Sequence, residues 1–99
     1  MIVRFHDGDY ERLETDPKHS GGFDGVVVRA YRNRINLIRQ AVDERDIRAF
    51  KSWRFEKLQG ARSHQHSIRL NDQWRLIVEF EVIAPNKVIV IISIEDYHK

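Results

Sequence analysis

HSIRLNDQWRLIVEF, residues 66–80, holds two runs of alternating apolar and polar residues on either side of the polar triplet Asn71-Asp72-Gln73. A triplet is the length of a common hairpin loop, and alternation is the period of a strand with one buried face, so the stretch predicts two antiparallel strands. Pairing then runs symmetrically about Asp72: Leu70 opposes Trp74, Arg69 opposes Arg75, and Ile68 opposes Leu76. Successive side chains alternate across a strand, which sets Arg69 and Arg75 side by side on the face away from Ile68, Leu76 and Val78. Two like charges directly across a ladder destabilise it unless something negative lies between them. That group is either an internal acid, Glu79 or Asp72, or the phosphate of a ligand, which guanidinium groups grip with paired hydrogen bonds.

Toward the C-terminus, Pro85-Asn86 marks a turn, and residues 88–94 are apolar except for Ser93. Such a run predicts a strand buried on both faces and central to the sheet. Glu95-Asp96-Tyr97-His98 follows it directly. Groups at the end of a rigid strand are held in place, and histidine is the side chain whose unperturbed pKa lies nearest neutrality, so this ending offers proton carriers. The competing expectation is a frayed tail in solvent.

Toward the N-terminus, residues 54–58 alternate as a further strand before Gly60 interrupts them, and Lys57 and Arg62 are expected to reach the face that carries Arg69 and Arg75. Asp24 is a plausible helix cap, and Val27, Val28, Tyr31, Ile35, Ile38 and Val42 fall at the three- and four-residue steps of an amphipathic helix ending near Val42. Arg29, Arg32, Asn36 and Arg39 take its opposite face, while Val26-Val27-Val28 pulls its first turn toward strand. Residues 2–5 form a first strand, residues 9–13 a helical turn, residues 15–22 a loop and residues 46–50 one more turn. Helices first and a mainly antiparallel sheet after them is an α+β plan, with the helix packed across one face.

A chain of 99 residues holds one modest core, so one domain over 1–99 is expected. Hydrophobic residues at 41% and charged residues at 32% exclude both a disordered chain and a membrane protein. Without cysteine there is no disulfide framework or thiolate metal site, and an N-terminus that turns polar after Phe5 lacks the apolar core of a signal peptide, so the cytoplasm is the expected compartment. The net charge is only +2, but four arginines and no acid lie between Arg29 and Arg39, and six Lys or Arg against Glu56 and Asp72 lie between Lys51 and Arg75. Basic segments set against acidic ones suggest a surface for a polyanion, with an ordinary solvated face as the alternative. His64 and His66 would share a strand face as a ligand pair does, but no third ligand at useful spacing accompanies them, so no metal is expected. Trp53 and Trp74 read as core or rim packing rather than as stacking platforms for bases.

Three blocks in fixed order, Leu58-Gln59-Gly60-Ala61-Arg62, Gln65-His66-Ser67-Ile68-Arg69-Leu70-Asn71-Asp72-Gln73-Trp74-Arg75-Leu76, and the terminal Asp96-Tyr97-His98, resemble the HigB toxins, also called plasmid maintenance system killer proteins. The resemblance is dense over residues 58–78 and again at the terminus, and in the first half only length and helical layout agree. It implies a RelE-like fold, with N-terminal helices packed on one face of a twisted, mainly antiparallel sheet. It also implies a toxin of a type II toxin–antitoxin system that cleaves mRNA on the 70S ribosome, with a HigA-like helix-turn-helix antitoxin as partner, DNA met only through that complex, and no cofactor. Asp96, Tyr97 and His98 match the family's catalytic ending, Arg75 its arginine after the aromatic, and Arg62 the basic residue after the glycine loop. Gln59 and Glu56 depart from the basic residues that related toxins often place there.

The reaction so implied is a metal-independent transesterification in which the ribose 2′-OH is the nucleophile. Arg75 and Arg62, with Arg69 and Lys57, would hold phosphate, His98 would act as general acid or base, Tyr97 would stack on or orient a base, and Asp96 would fix the imidazole or help in proton transfer. Two other classes stay open: a non-catalytic ParE-like toxin acting on DNA gyrase, and a plain nucleic-acid-binding module. Neither requires the Asp96-Tyr97-His98 ending.

Overall fold

An aspartate starts each helix. In the computed structural model, which describes residues 1–97, Asp7 caps α1 (Gly8–Thr15), Asp24 caps α2 (Gly25–Gln40) and Asp43 caps α3 (Glu44–Ala49), each carboxylate accepting from amides of the first turn. Such a cap is worth about 1 kcal/mol. At Asp24, Oδ1 accepts from the amides of both Val26 and Val27 at 3.0 Å. With Val27 and Val28 buried beneath it, this cap makes the first turn of α2 helical against the strand preference of three valines. The helix stops short of Val42, because Ala41 turns extended and leaves Val42 in solvent. α1 and α3 both run beyond the single turns expected of them, since their caps lie further upstream.

The sheet has the order β1-β5-β4-β3-β2, with β1 (Ile2–Phe5) parallel to β5 (Asn86–Asp96) and every other pair antiparallel. The hairpin of β3 (Gln65–Arg69) and β4 (Trp74–Ile83) has the register read from the sequence, with Arg69 opposite Arg75 and Ile68 opposite Leu76. β4 holds the centre. The long apolar strand β5 is second from the edge, yet it is buried on both faces as expected. Ile89 and Ile91 join the core beneath the helices, whereas Val88 and Val90 lie on the other face, roofed by an ion pair from Arg4 of β1 to Glu81 of β4 at 3.1 Å. β2 shrinks from the expected 54–58 to Glu56–Lys57, because Lys51–Trp53 forms a 3-10 turn that ends with Arg54 in the left-handed region, at φ 47°.

Val27, Tyr31, Ile35 and Ile38 of α2 pack on Ile68, Leu76 and Val78 of the hairpin. Burial of each such side chain removes apolar surface worth roughly 1.5–3 kcal/mol from water. A phenol relay ties the layers together: the Tyr31 hydroxyl donates to the Tyr10 carbonyl at 2.7 Å, and the Ile94 amide donates to the Tyr10 hydroxyl at 3.0 Å. Burial pushes the Tyr31 hydroxyl well above its ordinary pKa, so it stays a donor. The arginines of α2 serve the fold more than a polyanion. Arg32 donates to the carbonyls of Leu13, Asp16 and His19, Arg34 to that of Arg69, and Arg39 to the Glu14 carboxylate.

One irregularity in β5 matters for everything downstream. Val78 pairs with Ile91 but Ile77 pairs with Ser93, so Ile92 is an extra residue. A bulge of this kind reverses which side chains point to which face. Before it Ile89 and Ile91 face the helices; after it Ile94 does, and Ser93 and Glu95 are turned to the bare face in register with Ile77 and Arg75. Among the described residues no helix is long and apolar enough to cross a membrane.

Candidate active site

On the face without helices the register sets out two rows of side chains. Arg69, Arg75 and Glu95 form one, and Glu56, Ser67, Ile77 and Ser93 form the other. Arg75 is the centre of the first row and is 8% exposed. Both of its neighbours in the row are committed elsewhere. Arg69 pairs with Asp72 in the hairpin loop, while Glu95 receives Arg62 through two hydrogen bonds, at 2.9 and 2.8 Å, and the Ser93 hydroxyl at 2.8 Å. Those bonds from Arg62 hold the Glu95 carboxyl below its ordinary range and raise Arg62 in turn, so both stay charged.

Arg75 is thereby left a buried cation. Among the described residues its Nε and Nη1 have no hydrogen-bond partner, and its Cζ lies 4.0 Å from the centre of the Tyr97 ring. A desolvated cation–π contact is worth ~2 kcal/mol. Burying a charge costs several kcal/mol, so the ring offsets only part of it. The internal acids that could neutralise the arginine pair, Asp72 and Glu79, do not reach Arg75. Asp72 takes Arg69, and Glu79 accepts from Gln65 at 2.9 Å with His64 3.6 Å away. An arginine with free inward donors, fixed under an aromatic lid, is a ready anion site.

Two hollows meet at Arg75 and Tyr97. A cleft of about 250 Å³ is lined by Leu58, Arg62, Ser67, Arg75, Ile77, Glu95, Asp96 and Tyr97. A wider basin of about 580 Å³ is lined by Ser52, Arg54, Arg69, Asp72, Arg75 and Tyr97. The tail is anchored where they meet. The Tyr97 amide donates to the Gln73 carbonyl at 2.6 Å, and Gln73 Nε2 donates to the Asp96 carboxylate at 3.1 Å, so the strand reaches its end without fraying.

Of the residues singled out in the sequence, Arg62, Arg69, Arg75, Asp96 and Tyr97 thus come together. Lys57 does not: it is in register with His66, whose ring stacks on Phe55, and β-alternation puts it on the helix side of the sheet. The two-residue β2 brings Glu56 to the Arg75 face instead. His98 lies outside the described residues. His64 and His66 do not share a face, since His66 packs between Phe55 and Phe80 while His64 lies near Glu79. Trp53 is buried against Phe50, and Trp74 meets Phe23 edge-on, as packing residues. Sequence reasoning missed Arg54, Ser67 and the pairing role of Glu95. Nothing but charge marks Arg54, and the Glu95 partner lies 33 residues away.

A family model described as the RelE-like toxin of the type II toxin–antitoxin system HigB matches residues 3–98. No curated protein matches the chain. Among solved structures, a YoeB/ParE toxin from Agrobacterium tumefaciens superposes with a TM-score of 0.58 at 17% identity, covering 99% of this chain and 100% of its own. A conserved hypothetical protein from Helicobacter pylori, solved in solution, superposes at 0.51 with 12% identity over 98% of this chain and 94% of its own. These likenesses carry the fold, and the family match carries more: the chain belongs to the RelE-like HigB toxins of type II toxin–antitoxin systems.

Proposed function

We propose that this toxin is a metal-independent endoribonuclease that cuts mRNA on the 70S ribosome and so stops translation. The observation that supports it best is Arg75, buried between two hollows with Nε and Nη1 unpartnered among the described residues and flanked by Arg69 and Arg62. In the reaction the ribose 2′-oxygen bonds to the adjacent phosphorus and the bond from phosphorus to the 5′-oxygen breaks. The products are a 2′,3′-cyclic phosphate and a 5′-hydroxyl, and one proton leaves the 2′-oxygen while another reaches the 5′-oxygen. Arg75 meets the charge that grows on the non-bridging oxygens, and Arg69 holds the neighbouring backbone. Arg62 joins them once the phosphate displaces Glu95. His98 is the proposed proton carrier, with Tyr97 stacking on or orienting a base beside the scissile phosphate and Asp96 orienting the imidazole or helping in proton transfer. The ribosome supplies the substrate geometry that an open sheet face does not impose by itself. A HigA-like helix-turn-helix antitoxin in the cytoplasm is the proposed partner, contact with DNA runs through it, and a single domain over 1–99 does the work.

Primer extension on a message translated in a purified system tests the reading. Arg75→Met keeps the packing under Tyr97 and should lose cleavage by about 100- to 1,000-fold, the effect of removing one preorganised donor, without a drop in melting temperature. His98→Gln should do the same by removing the titrating group. Parental cleavage by either variant would strip that residue of its role. Pulse labelling separates the gyrase-type toxin: if DNA synthesis fails first while protein synthesis continues, the nuclease reading is wrong.

A further inference from the structure

The cleft beside Arg75 has a feature that phosphate binding leaves unexplained. Ser67, at the middle of β3, is 1% exposed, and its hydroxyl has no hydrogen-bond partner among the described residues. Leaving a buried hydroxyl unmade is costly, and an apolar side chain of the same size would avoid that cost, so such a group calls for a reason. It is not a packing residue of the main core. Register puts Ser67 between Glu56 and Ile77 on the bare face, and it lines the cleft together with Leu58, Ile77, Arg75 and Tyr97.

The wall of this cleft is two-sided in character. Leu58 and Ile77 present aliphatic surface, which suits the flat face of a heterocycle and not a phosphate. The Ser67 hydroxyl in the same wall can donate one hydrogen bond and accept others, which suits the polar edge of that same ring. The other hollow, with Arg54 and Arg69, carries the additional cations. From this division we infer that the cleft is a nucleobase subsite for single-stranded RNA, in which Ser67 reads the edge of a base next to the scissile phosphate. Ser67 is thus a specificity residue, and the wider basin takes the backbone that leads away from the cut. The inference rests on the nuclease reading above.

Ser67→Ala tests it, because the lost hydroxyl bonds to nothing among the described residues, so folding should be as stable or more so. The 5′-hydroxyl ends produced from a translated message are sequenced for the parental chain and the variant, beside their melting curves. The expected result is a preference for one base at a fixed position beside the cut that weakens roughly three- to tenfold in the variant, the worth of one neutral hydrogen bond, with no fall in melting temperature. Ser67→Thr retains the hydroxyl and should keep the identity of the preferred base. An unchanged base profile in Ser67→Ala, with the parental chain cutting normally, overturns the subsite alone. Intact message with the parental chain overturns the nuclease reading, and the subsite with it.

Discussion

His66 shows how a single side chain can tie this fold to pH. Its ring is stacked 4.9 Å from Phe55 and set edge-on to Phe80, and desolvation there lowers its pKa below the ordinary 6.5, with Arg48 and Lys57 adding to the effect against Glu44. A base whose folded pKa is depressed is bound to fewer protons folded than unfolded, so its stabilisation is complete above the unfolded pKa and declines as the pH falls below it. The melting temperature should therefore fall between about pH 7 and about pH 5, the range in which an unfolded histidine titrates. His66→Phe should flatten that part of the profile while preserving the stack. A profile as steep as the parental one would assign the dependence to another group. Arg75 is the converse case, since its position between the two hollows carries the chemistry proposed for it.

At the scale of elements, the bulge at Ile92 decides what β5 brings to the site. Deleting Ile92 should join Ile91 directly to Ser93 as regular neighbours opposite Val78 and Ile77, so that Ile94 still faces the helices and Ser93 and Glu95 still face the side of Arg75. The expected outcome is a protein that keeps the Arg62–Glu95 pair and the Tyr97 lid, and with them growth arrest, at a melting temperature within a few degrees of the parental one, because Ile94 stays in the core. Loss of both would mean that the strand re-forms its register elsewhere. This device was illegible in the sequence, where Ile92 is one apolar residue among neighbours of the same kind. The hairpin was legible to the residue because a polar triplet between alternating runs admits one symmetric pairing. Lys57 was misplaced for the opposite reason: two paired residues are too few for a pattern, and the left-handed Arg54 that shortens β2 leaves no trace in residue type. The helix over Val27 and Tyr31 showed its period plainly, but not that its arginines would be committed to backbone carbonyls of α1 and β3.

For the whole molecule, the decisive asymmetry is that the helices cover one side of the sheet and leave the other to side chains alone. β4 is the central strand, so its residues belong in turn to two different surfaces: Leu76 and Val78 to the core, Arg75 and Ile77 to the hollows. Suppose every position of β4 were replaced in turn and each variant scored twice, for folded yield and for growth arrest. The folded yield should collapse at Leu76 and Val78 and hold at Arg75, while growth arrest should disappear at both kinds of position. Equal losses of yield at Arg75 and Leu76 would contradict the division. Inheritance therefore meets this strand as a comb with two sets of teeth. Mutations on one set produce a chain that is cleared from the cell, and mutations on the other produce an inert but intact toxin able to occupy an antitoxin without doing harm. Decoys of that second kind lie a single substitution away from the active protein.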